Sequence, residues 1–102
     1  MFIIQLNYLV PITEVDKYLQ AHREFLDYYY KQGLLVVSGP MKPRIGGIII
    51  AATTDRDYLE TIFQKDPYYL AEIAEYHFIE FTPVNHCGEL KELIQKVEGK
   101  LC

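Results

Sequence analysis

Residues 2–9, FIIQLNYL, alternate along the chain: Phe2, Ile4, Leu6 and Tyr8 fall on one side, Ile3, Gln5, Asn7 and Leu9 on the other. A period of two predicts a strand with one apolar and one mixed face, and Pro11 ends it. Val15, Leu19, His22, Phe25, Leu26 and Tyr29 then recur at helical spacing. Thr13, with Asp16 three residues on, has the form of a capping box in which Asp replaces the usual Glu. Gly33 supplies the stop, so a first helix is predicted over 14–32. LLVVSGP, residues 34–40, reads as a second strand ended by Gly39-Pro40, and IIIAAT, residues 48–53, as a third. Thr54 opens a second helix, with Asp55 and Asp57 favourable to its N-terminal dipole and Leu59, Ile62 and Phe63 as its buried stripe. Asp66-Pro67 ends that helix and opens a short turn through Leu70. Residues 73–82 form a fourth strand closed by Pro83. The tail GELKELIQKVEGK is amphipathic, with Leu90, Leu93, Ile94 and Val97 on one side of a third helix.

The order is βαββαβ with an added C-terminal helix. Two split βαβ units of this length predict an α+β, ferredoxin-like protomer with both helices on one face of an antiparallel sheet. Residues 1–84 make up that domain and 85–102 a helical extension; 102 residues are about one domain. The third strand adds a constraint. Ile48, Ile49, Ile50, Ala51 and Ala52 offer apolar groups to both sheet faces, whereas helices cover one. A large exposed apolar face is unstable in water, and a second copy is the simplest cover, giving a symmetric homodimer with a barrel-like interior, or a higher oligomer built from it.

Composition narrows the class. Half of the residues are hydrophobic, and nine tyrosines with no tryptophan suit a surface part apolar and part wet, as in a pocket or interface. A formal charge of −4 argues against a nucleic-acid partner, which needs a basic stripe. An RNA-recognition module on the same topology would need aromatic, basic strands, and IIIAAT has neither. No apolar run reaches membrane-helix length, and MFIIQLNYLVP lacks a basic leader and a cleavage site, so no membrane association is expected. Cys87 and Cys102 staple nothing in the body of the fold and have no metal-site spacing. A reduced, cytoplasmic protein is expected.

Few side chains remain for chemistry. His22 lies within an apolar stripe; it is either a core histidine satisfied locally or an imidazole lining a cleft for acid–base work. Asp66 before Pro67 is a favoured N-cap. A carboxylate has several acceptor sites, so capping is compatible with orienting His22. A residue midway along the first helix can face the end of the second, and an imidazole left unpaired there would cost about 1–3 kcal/mol; His22 and Asp66 are therefore expected in hydrogen-bond contact. Ser38, Gly39 and Pro40 are a plain turn or a hydroxyl and amides within reach of a ligand. Tyr28, Tyr29 and Tyr30 wrap around their helix, so at most two face a pocket. Gly46-Gly47 matches no nucleotide fingerprint, and His86-Cys87 lacks partner ligands for a metal.

The ordered set of His22 in HREFL, then GLLVVSGP, then IGGIII, then Asp66-Pro67-Tyr68 resembles the YciI-like (YCII) family over about residues 1–82. The resemblance implies a dimeric α+β barrel of ferredoxin-like protomers with a His–Asp pair as its active site, which falls here on His22 and Asp66. It also implies acid–base chemistry without cofactor or metal on a small cyclic or phenolic molecule, of the lyase or isomerase type; the best-defined activity among relatives is dehydrochlorination of a hydroxylated chloroaromatic ring. Tyr8, Ser38, Gly39, Pro40 and Tyr68 are the expected ligand contacts. The alternative is a non-catalytic module that binds a small metabolite.

Overall fold

A computed structural model of the protein describes residues 1–99; Cys102 lies outside the described residues. Strand β1 (Phe2–Tyr8) is followed by a short helix α1 (Ile12–Val15), a 3-10 turn (Asp16–Tyr18) and helix α2 (Leu19–Lys31). Strands β2 (Leu35–Pro40) and β3 (Gly46–Ala51) precede α3 (Arg56–Phe63), α4 (Pro67–Leu70) and β4 (Ala74–Glu80). A 3-10 turn (Gly88–Leu90) and helix α5 (Lys91–Glu98) close the described chain. The four strands form one antiparallel sheet in the order β2-β3-β1-β4, which is the ferredoxin-like arrangement.

The register explains where the core sits. Phe2 stands opposite Ala51 and Glu80, Ile4 opposite Ile49 and Phe78, and Leu6 opposite Gly47 and Tyr76. Because Cβ atoms alternate across a strand, Phe2, Ile4, Leu6, Ile49 and Ala51 share one face. Leu26 from α2 and Leu59, Ile62 and Phe63 from α3 join them in a single buried cluster. The opposite face carries no part of that core: Val37, Ile50, Ile3 and Ile79 lie side by side across all four strands, and Val37 is 53% and Ile79 49% exposed.

Several local expectations need correction. The capping box at Thr13 does not form, because the chain enters the helix directly behind Pro11 at Ile12 and no side chain caps it. What reads as one helix is three pieces, interrupted by the 3-10 turn at Asp16–Tyr18. Gly39 and Pro40 are not a turn beyond the second strand. They belong to β2 and pair with Ile48 and Gly47. Asp55, not Thr54, caps α3, its carboxylate accepting from the Tyr58 amide. Other signals hold: Gly33 ends α2 at φ 79°, with the amides of Gly33 and Leu34 bonded back to Tyr30 and Tyr29. In α5, Ile94 is buried and Leu93 and Val97 half-buried, whereas Leu90 precedes the helix and is exposed.

Candidate active site

A cleft of about 410 Å³ opens between the start of α2, the β2–β3 hairpin and α4. His22 reaches it from the apolar stripe of α2, flanked by Leu19 and Leu26. Asp66 arrives from the other side as the N-cap of α4, where Pro67 fixes the first helical position. Asp66 is 0% and His22 8% exposed.

The two side chains meet. His22 Nδ1 lies 2.8 Å from Asp66 Oδ1 and 3.0 Å from Oδ2. The same carboxylate accepts from the Tyr68 amide at 3.0 Å and from the Tyr76 hydroxyl at 2.6 Å. Asp66 therefore caps α4 and contacts His22 at once. A carboxylate only accepts when ionised, so Nδ1 carries a proton, and in the neutral ring the lone pair is on Nε2. Among the described residues Nε2 makes no hydrogen bond. The Tyr68 ring stacks on the imidazole with centroids 3.9 Å apart and planes within 3° of parallel, which fixes the ring's tilt.

The tyrosine hydroxyls around the pair stay protonated. Burial, then the neighbouring Asp66 charge, holds the Tyr76 hydroxyl well above the usual tyrosine range. Burial pushes the Tyr68 hydroxyl up to about 12, with Tyr8 adding to the rise and Arg44 opposing it. Arg44 comes from the β2–β3 loop. Its guanidinium lies 5.7 Å from the Tyr8 ring centroid and pairs with Asp16 at 2.7 Å, and Tyr8 meets Tyr68 edge-on at 6.2 Å.

Tyr8, Ser38, Gly39, Pro40 and Tyr68 all line the cleft with His22, but they are not equivalent. The Ser38 hydroxyl is already 2.6 Å from that of Tyr30, so it is a shared donor and acceptor rather than a free one. Of the three consecutive tyrosines, Tyr30 serves this wall from behind. Sequence reasoning missed Tyr76 and Arg44. Tyr76 was recoverable: it shares the core face of β4 with Ala74 and Phe78, and a tyrosine facing a core needs a partner for its hydroxyl. Arg44 carried no such signal, because only the folded hairpin brings its loop to Tyr8.

A family model described as the YCII-related domain matches residues 1–82. No curated protein sequence matches the chain. Among solved structures, the chain is similar to 5-chloro-2-hydroxyhydroquinone dehydrochlorinase from Burkholderia phenoliruptrix AC1100, in complex with 2,5-dihydroxybenzoquinone. The TM-score is 0.62 at 18% identity, over 79% of this chain and 93% of the other. At that identity the likeness concerns the fold.

Proposed function

The chain belongs to the YCII-related domain family, and from that footing we propose that it is a small acid–base enzyme whose reacting group is His22, oriented by Asp66. The observation that carries this reading is the buried imidazole with Nδ1 on a carboxylate and Nε2 free at a cleft. Nε2 takes a proton from a carbon or oxygen of the bound molecule, and the electron pair left behind makes an enolate or phenolate. Asp66 compensates the positive charge the ring then carries. Return of the proton at another atom completes an isomerisation, whereas departure of a leaving group completes an elimination. The cleft suits a small cyclic or phenolic molecule, the class to which the ligand of the dehydrochlorinase complex belongs. We further place the enzyme in a reducing, cytoplasmic setting, as a homodimer closed across the open sheet face. Residues 85–102 are read as an extension beyond the family unit.

The reading is tested by incubating the protein with a panel of small phenols and cyclic diones in D2O and following ligand protons by NMR. Deuterium incorporation or product formation that disappears in His22→Asn, with circular dichroism and thermal midpoint retained, is the expected outcome. Binding without exchange or conversion identifies a non-catalytic module instead. Exchange that survives in His22→Asn removes His22 from the chemistry.

A further inference from the structure

Asp66 is fully satisfied and His22 is paired through Nδ1, but besides Nε2 at the cleft a second polar atom of this site has no partner among the described residues. Tyr68 is 1% exposed, and its hydroxyl is the buried side-chain polar atom without a hydrogen-bond partner among the described residues. Buried polar atoms are nearly always paired, so an orphan on a cleft wall calls for a partner that is missing. The core does not require this hydroxyl. The ring alone makes the stack on His22 and the edge contact with Tyr8, and phenylalanine would make both.

The surroundings indicate what the partner is. The hydroxyl stays protonated far above neutrality, so it is available as a donor. Arg44 and Tyr8 stand near enough to act on its ionisation, and Arg44, which lines the cleft, is engaged in a part-exposed ion pair with Asp16, a kind that holds weakly. Two guanidiniums, Arg23 and Arg44, line the cleft, with Asp16 paired to Arg44 at the rim and Asp66 taken up by His22 and Tyr76 in the interior. The Arg44 guanidinium thus stands beside a buried hydroxyl donor, and two donors of which one is charged favour a negative acceptor.

We propose that the Tyr68 hydroxyl and Arg44 form an anion-reading subsite that selects small ring compounds bearing a carboxylate or enolate oxygen. Arg44 swings from Asp16 to the ligand, which uncovers the hydroxyl, and the ligand oxygen accepts from both. This deepens the acid–base reading, because an enolate oxygen held there sits in the same cleft as Nε2. Charge-assisted bonds of this kind are short and strong.

Calorimetric titration with 2,5-dihydroxybenzoate and the neutral 2,5-dihydroxybenzamide tests it. The protein is expected to prefer the carboxylate, and Tyr68→Phe to weaken carboxylate binding roughly tenfold or more while leaving amide binding unchanged. The thermal midpoint of Tyr68→Phe should be equal or higher, since an unpaired buried hydroxyl is removed. Arg44→Gln should lose the same preference. Equal loss on both ligands, a lowered midpoint in Tyr68→Phe, or no binding of either ring overturns the subsite. His22→Asn separates the two readings: the carboxylate preference persists there if the subsite is right. A preference that persists while no ring compound is ever turned over supports the subsite and sinks the acid–base function.

Discussion

Tyr76 and Tyr68 are the residues whose removal discriminates best between a carboxylate that is merely buried and one that is held in working order. The Tyr76 hydroxyl donates to Asp66 at 2.6 Å, so Tyr76→Phe is expected to cost roughly 1.5–3 kcal/mol in denaturant unfolding, the range for a bond to a charged group. Both hydroxyls are held above the ordinary tyrosine value of about 10, mainly by burial. Because both folded values lie above the unfolded one, stability is unaffected by these ionisations below about pH 10 and falls as the pH rises above it, through about 12 for Tyr68. Following phenolate absorbance during alkaline titration, exposed tyrosines should ionise first, and Tyr68 and Tyr76 only as the fold opens; early ionisation of all tyrosines would contradict the burial. His22 and Asp66 were legible in the sequence because each has an awkward chemistry for its place, an imidazole in an apolar stripe and a carboxylate before proline. The hydroxyls were less so, because a tyrosine on an apolar face looks like any other aromatic until its partner is known.

At the scale of elements, the hydrophobic periods set the order of strands and helices, while the errors fell at boundaries. The entry to α1 was misread because Thr13 and Asp16 match a cap in spacing alone; Pro11 had already set the start. Gly46-Gly47, which precede the third strand expected over 48–53, begin β3, and here the structure supplies a reason for glycine. A Cβ on Gly46 would run into the backbone carbonyl of Leu6, whereas one on Gly47 would meet only Gly39 O at 3.4 Å. Gly46→Ala is therefore expected to destabilise by more than about 3 kcal/mol, since the colliding atom is backbone and cannot rotate away. Gly47→Ala should cost less than about 1 kcal/mol by the same argument. Thermal unfolding of the pair checks this, and equal tolerance of both alanines would mean that β1 and β3 are not packed in the stated register.

For the whole molecule, the sheet poses the remaining physical problem. Its helix-side face is filled by one continuous core, but the row Val37–Ile50–Ile3–Ile79 crosses the other face in register, with both ends about half exposed. Gln5, Asn7, Glu75 and His77 lie farther along the same face, so it is apolar at one end and polar at the other. An apolar band with a polar margin is the anatomy of an interface, and a second copy meeting it across a two-fold axis would bury the same row on both sides. Such a contact needs roughly 800 Å² per partner to be stable, which a four-stranded face can supply. Sedimentation should then give twice the 11.9 kDa of the chain at micromolar concentration. Ile50→Glu, placed between Val37 and Ile3, should yield a folded monomer, because two glutamates facing each other across the axis would repel in a desolvated contact. A parent protein that sediments as a monomer, or an Ile50→Glu variant that stays dimeric, would show that the exposed row is covered in another way.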